Sequence, residues 1–195
     1  MISWTVSNAS STITSMKKLL VVADYQKDFV DGAFFNEEAS AKVDSVISLI
    51  ETFETRGDDV IFTIAEHSSK DYLHQEVGRH CPRPHAISGS EGVEVFSPLK
   101  EKFSLHRIFL HDGVAPEELL LFLKKNPYWQ VVFVGMELET TILSTALLAQ
   151  SALPMANIVV ADSLCFARNK EAGEIALHAL KSCYVDVLDL AEVLV

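Results

Sequence analysis

Short unbroken apolar runs alternate along this chain with longer segments whose apolar residues recur every three or four positions. Leu19-Leu20-Val21-Val22-Ala23 stops abruptly on Asp24, and Asp59-Val60-Ile61-Phe62-Thr63-Ile64 has the same character. Such runs suit strands buried on both faces, as in a parallel sheet. Between them, Val43, Val46, Ile47, Leu49, Ile50 and Phe53 fall on one face of a helix over Glu37–Arg56 that Gly57 ends. The second half repeats the alternation. It predicts a strand near 103–110, a helix opening at Pro116-Glu117-Glu118, a strand at 131–134, a helix at 140–150, a strand at 158–161, a helix at 171–182 and a strand at 184–188. Strands linked by helices imply parallel pairing with helices on both faces, because crossovers share one hand. The fold class is therefore α/β, a three-layer α/β/α sandwich around a largely parallel, roughly six-stranded central sheet. The polar segment over 65–92 has no regular period, and long loops of this kind often carry function.

The 195 residues suit one domain with a full core, expected over 18–195 behind an N-terminal extension over 1–17. The first fifteen residues are rich in Ser, Thr and Asn and lack a basic stretch ahead of an apolar core, so they do not resemble a secretory signal. No apolar stretch is long enough to span a bilayer. The net charge of −11, with sixteen Lys and Arg not gathered into a stripe, opposes nucleic acid as a partner. Cys81, Cys165 and Cys183 form neither a disulfide framework nor a zinc-finger pattern, which favours a reducing cytoplasm.

Parallel strands deliver polar residues to a crevice at their carboxyl ends, which makes Asp24 a candidate catalytic group; the alternative is a turn carboxylate. From Leu19 onward the chain resembles the isochorismatase-like hydrolase superfamily of nicotinamidases, isochorismatases and cysteine hydrolases. Asp24-Tyr25-Gln26-Lys27-Asp28-Phe29 followed by Gly32 is similar to the family's Asp-x-Gln-x-Asp-Phe motif with its trailing glycine. Pro84-His85-Ala86-Ile87-Ser88-Gly89-Ser90-Glu91-Gly92 resembles a second family loop, with Ser90 where threonine is usual. Thr63-Ile64-Ala65-Glu66-His67 resembles a Thr-x-Asp-x-His segment, with Ala65 in the aspartate position. Val132 to Ile142 resembles the strand, glycine and helix opening that carry the nucleophilic cysteine, a position held here by Thr141.

The resemblance implies an aspartate, a lysine and a nucleophile acting together, here Asp24, Lys102 and Thr141. Lys102 can equally be a solvated charge, and His106, Arg107 and His111 are rival cations in the same stretch. Gln26, Phe29 and Glu137 are candidate substrate-binding residues. Gln26 can instead orient backbone, Phe29 can be core packing, and an anionic Glu137 beside an oxyanion hole would repel the developing charge. The resemblance also implies a divalent metal, zinc, iron or manganese, held by His67, His74 and His85, although Ala65 removes its carboxylate unless Glu66 or Asp71 replaces it. No organic cofactor is expected. Cys165 and Cys183 are expected in the core, and Cys81 lies beside the histidine cluster.

Threonine does not substitute for cysteine directly, because a hydroxyl is far harder to deprotonate than a thiol and a lone carboxylate is a weak base for that task. Two functions follow. One is a hydrolase of a small molecule, cleaving a vinyl ether or a carboxamide with Asp24 as general acid and base and no cysteine acyl-enzyme. The other is a binding or scaffold protein that has lost turnover. The family's habits also imply a homo-oligomer.

Overall fold

A computed structural model describes residues 17–194. The extension expected over 1–17 lies outside the described residues except for Lys17, whose ammonium pairs with Asp59 at 2.7 Å. The six strands are β1 (Lys18–Ala23), β2 (Asp59–Ala65), β3 (Arg107–His111), β4 (Gln130–Met136), β5 (Asn157–Phe166) and β6 (Asp186–Leu188). They form one sheet in the order β3-β2-β1-β4-β5-β6, and every pairing is parallel. Among the described residues no helix is long and apolar enough to cross a membrane.

Period-two alternation along β1 splits its buried side chains between two cores. Leu20 and Val22 pack with helix α1 (Glu37–Arg56) through Val43, Val46, Leu49, Ile50 and Phe53. Leu19, Val21 and Ala23 pack on the other face, with α2 (Glu117–Lys125), α3 (Leu143–Ala152) and α4 (Lys170–Ser182). Asn36 caps α1 by accepting the Ala39 amide at 3.0 Å, and Gly57 ends it in the left-handed region at φ 76°. Asn169 caps α4 in the same way through the Ala172 amide.

Several boundaries differ from expectation. Residues 100–103 form a helical turn rather than the start of β3, which begins at Arg107. The strand expected at 158–161 runs on to Phe166 because the β4–β5 register jumps from Phe133↔Val160 to Gly135↔Cys165, leaving a bulge between the two pairs. The helix expected at 140–150 is preceded by a π-turn over Leu138–Ile142 before α3 begins. The polar 65–92 segment contains two short helical turns, Tyr72–His74 and Glu76–His80.

The strand order reverses between β1 and β4, so a crevice opens at their carboxyl ends. Close approach of these two strands depends on Gly135, at φ 115°, where a Cβ would meet the Ala23 carbonyl oxygen at 2.1 Å.

Candidate active site

A cavity of about 360 Å³ sits in that crevice, and residues following four different strands supply its walls. Asp24 follows β1, His67 follows β2, Glu137 and Thr141 follow β4, and Arg168 follows β5; His111, the last residue of β3, lines it as well. The terminal carboxylate of the first strand and the hydroxyl opening the fourth crossover thus border one space.

Asp24 is buried and takes φ 44°, a left-handed conformation that Asp tolerates better than most residues. Its amide donates to the Thr63 carbonyl at 3.2 Å. The Thr63 hydroxyl donates to Oδ1 at 2.7 Å, and Nε2 of His111 stands 3.1 Å from both carboxylate oxygens. His111 Nδ1 lies 2.8 Å from the Gly113 carbonyl, which can only accept, so Nδ1 carries a hydrogen. A carboxylate facing Nε2 calls for a second one, making this an imidazolium–carboxylate pair. Burial alone would lower the His111 pKa. The Asp24 charge and hydrogen bond, with the Gly113 carbonyl, outweigh it and hold the pKa above the ordinary histidine value.

The rest of the Asp-x-Gln-x-Asp motif holds backbone. Gln26 is fully buried: its Nε2 donates to the Ala65 and Val93 carbonyls at 2.8 and 2.9 Å, and its Oε1 accepts the Ala65 amide at 2.9 Å. The expectation that Gln26 contacts substrate is therefore corrected, since its amide is spent on the end of β2. Asp28 accepts the Ala86 amide at 2.7 Å and the Ala33 amide at 3.2 Å, tying the second loop to the first. Phe29 does line the cavity, its ring edge-on to His85 with centroids 5.5 Å apart.

Lys102 is not beside Asp24. Its ammonium meets Glu54 at 2.7 Å and Glu51 at 3.3 Å on α1, and His106 binds the same Glu54 at 2.9 Å. Lys102 precedes β3 and so lies toward the amino ends of the strands, whereas the crevice is at their carboxyl ends. The cation that reaches Asp24 is His111, at the far end of the same strand.

Glu137 lines the cavity, and its charge is compensated by Arg168, a residue the sequence reading missed. Nε of Arg168 donates to Oε1 at 2.9 Å and Nη2 to Oε2 at 2.7 Å, a two-pronged pairing, while the guanidinium lies 4.7 Å from the Phe34 ring centroid. Thr140 adds a bond to Glu137 at 3.3 Å, and Glu139 accepts the Arg168 amide at 2.9 Å. The repulsion expected of Glu137 is thereby answered. Arg168 stands two residues past Phe166, the last residue of β5, whose apolar run is broken in the sequence by Asp162 and Ser163.

The histidines do not assemble into the implied metal site. His67 and His85 line the cavity with ring centroids 5.5 Å apart, but His74 is exposed and does not line it. Ala65 offers no ligand atom, Glu66 bonds the Ser88 hydroxyl, and Asp71 is exposed. Among the described residues no group of three or more His, Cys, Asp or Glu is placed to hold a metal ion. Two imidazoles without a carboxylate do not fit the implied ion. Burial, then the neighbouring His85, push the His67 pKa down; the Gln75 carboxamide opposes this without reaching hydrogen-bond geometry. Burial pushes the Tyr72 phenol up to about 12, so it keeps its proton.

Cys165 is buried, its thiol donating to the Phe133 carbonyl at 3.3 Å and pushed to a high pKa by burial. Cys183 is half-buried; Cys81 is half-buried and lines the cavity.

The sequence matches the isochorismatase domain family over residues 18–192. Comparison with curated protein sequences gives no match. Among solved structures, the chain resembles a nicotinamidase/pyrazinamidase from Bacillus subtilis at 28% identity and TM-score 0.77, covering 89% of this chain and 100% of that one. A Pyrococcus horikoshii pyrazinamidase solved in complex with zinc is 21% identical with TM-score 0.74, over 89% and 99% of the two chains. A cysteine hydrolase from Pseudomonas syringae pv. phaseolicola is 15% identical with TM-score 0.79, over 91% of each. The last two likenesses speak to the fold.

The His111–Asp24 pair gives stability a predictable pH dependence. A raised histidine pKa contributes stability that is fully present below the unfolded value of about 6.5 and is lost as pH rises through the folded value. His67, shifted the other way, acts only as pH falls below that point. Urea unfolding from pH 6.5 upward is expected to show declining stability, and His111→Gln to flatten that decline. Arg168→Ala strands Glu137 without its partner and is expected to cost about 2 kcal/mol, less than a fully buried pair because the guanidinium is partly exposed. Adding Glu137→Gln to Arg168→Ala should recover most of that loss in the same assay.

Proposed function

The chain belongs to the isochorismatase family, and we propose that it is a small-molecule hydrolase that works by proton transfer from the Asp24–His111 pair, without a covalent acyl-enzyme. The observation that carries this reading is His111 Nε2 placed 3.1 Å from both oxygens of a buried carboxylate on a cavity wall. One proton is shared between two groups. When it lies on His111 the pair is an ion pair; when it passes to Asp24 the pair is a neutral imidazole and a carboxylic acid that can donate.

A vinyl ether suits this device better than a carboxamide. Asp24 protonates the terminal enol carbon, giving an oxocarbenium ion that water attacks, and the proton the water sheds returns to the pair. The resulting hemiketal then breaks its C–O bond, with its hydroxyl hydrogen passing to the departing oxygen to leave an alcohol and a ketone. No nucleophile on the protein is required. A carboxamide is a poorer electrophile that calls for an activated water or a protein nucleophile, and no hydrogen bond joins the Thr141 hydroxyl to Asp24 among the described residues. Thr141 is read as a wall residue and Arg168 as the group that keeps Glu137 compensated when a charged substrate enters.

A second reading, a binding protein without turnover, draws on the same contacts. Thr63 and His111 together engage both Asp24 oxygens, leaving the carboxylate little freedom to act as a base on water.

Turnover of isochorismate and of a panel of small carboxamides separates the two. The hydrolase reading predicts vinyl-ether cleavage that falls by about a thousandfold in Asp24→Asn, the scale of a lost general acid, while Thr141→Ala keeps it within about tenfold. Loss of activity in Thr141→Ala equal to that in Asp24→Asn would contradict the noncovalent route. No turnover of any of these compounds would favour the binding protein.

A further inference from the structure

The cavity holds a second polar group that the Asp24–His111 chemistry does not use. His67 and His85 are 3% and 4% exposed, and both face the cavity with Gln75 beside them. His85 Nδ1 lies 3.0 Å from the Arg83 carbonyl and 2.9 Å from the Tyr72 oxygen. A carbonyl only accepts, so Nδ1 carries the hydrogen; the Tyr72 hydroxyl directs its own hydrogen to the Cys81 carbonyl at 2.7 Å or the Arg83 carbonyl at 2.8 Å. These bonds fix the tautomer and leave a lone pair on Nε2, which has no hydrogen-bond partner among the described residues.

Its neighbours are also unfilled. His67 Nδ1 is buried without a partner, and so is Gln75 Oε1, whose Nε2 donates to Asp112 at 3.1 Å. With Ala65 in place of a carboxylate and His74 turned out, this group does not fit a divalent cation. A bound metal would accept lone pairs from a ligand. A carbonyl oxygen and an imidazole nitrogen bearing lone pairs do the reverse and accept hydrogens.

We propose that His85 Nε2 and Gln75 Oε1 form a metal-free acceptor subsite, walled by His67, that binds a small ring compound through an N–H or O–H group and discriminates against one presenting a bare ring nitrogen. This deepens the hydrolase reading, since it rests on the same cavity being the substrate pocket, and it names the substrate class: a ring bearing a hydroxyl or a ring N–H. Phe29 supplies an aromatic wall for such a ring.

The test is calorimetric binding of 3-hydroxybenzamide and nicotinamide, which differ at the ring donor or acceptor, to the untagged full chain with and without EDTA and with and without added zinc. The proposal predicts that 3-hydroxybenzamide binds at least about tenfold tighter, that neither EDTA nor zinc changes the ratio, and that Gln75→Leu and His85→Phe each bring the two compounds together. Long-range proton–nitrogen spectra are to show His85 as the neutral Nδ1–H tautomer, a readout independent of how either variant folds. Equal or tighter nicotinamide binding, no binding of either compound, binding that requires zinc, or an Nε2–H tautomer would overturn it. Binding is read without turnover. Lost selectivity therefore sinks the subsite alone, and retained selectivity without hydrolysis sinks the chemistry alone.

Discussion

The ends of three neighbouring strands converge on one carboxylate, and the rest of the site is arranged around that convergence. β2 lies between β1 and β3, so the His111 imidazole must reach past the end of an intervening strand to meet Asp24. Adjacent strands are about 4.8 Å apart, and the crossing is possible because β2 presents small residues there, Thr63 and Ala65. Thr63 also binds the same carboxylate. Gln26 clamps the end of β2 through three hydrogen bonds to backbone, and Asp28 fixes the loop carrying His85. A charged residue with almost no solvent contact is costly unless paired, and Asp24 is supplied with partners from two strands.

The other residues of the cavity gain coherence around that pair. Thr141 offers the cavity a hydroxyl rather than a thiol, His111 offers Asp24 an imidazole as its cation, and Ala65 offers no ligand atom to a metal. These groups suit the proposed proton sharing and hydrogen bonding better than covalent, metal-supported attack. The Glu137–Arg168 pairing belongs to the same arrangement: a carboxylate stands at the opening of the fourth crossover, and it is held by a guanidinium rather than left to repel an anionic ligand.

Much of this was legible in the residues, and each failure has its own physical origin. The apolar runs located the strands, because strands buried on both faces admit few polar side chains, and the 3.6-residue period located α1. Asp24 was identifiable as a charge ending such a run. Lys102 was misplaced because proximity in sequence to β3 does not say which end of the strand faces the crevice; polarity along the strand does, and it selects His111. Arg168 was missed because β5 continues through a bulge past its apparent end at Ala161, and bulges leave little trace in a hydrophobic pattern. Gln26 stands open between substrate and backbone in the sequence because a polar residue in a motif carries no sign of which its amide meets. The metal histidines share a loop without periodicity, where spacing does not determine which rings turn inward.

The proposed chemistry needs Asp24 and His111 to hold one proton between them. Nitrogen-detected titration of the His111 ring in the native protein and in Asp24→Asn measures this directly. A doubly protonated ring with a pKa above the ordinary histidine value is expected in the native protein, falling when the carboxylate is replaced. A His111 that is neutral at pH 6, or that titrates identically in both proteins, would contradict it.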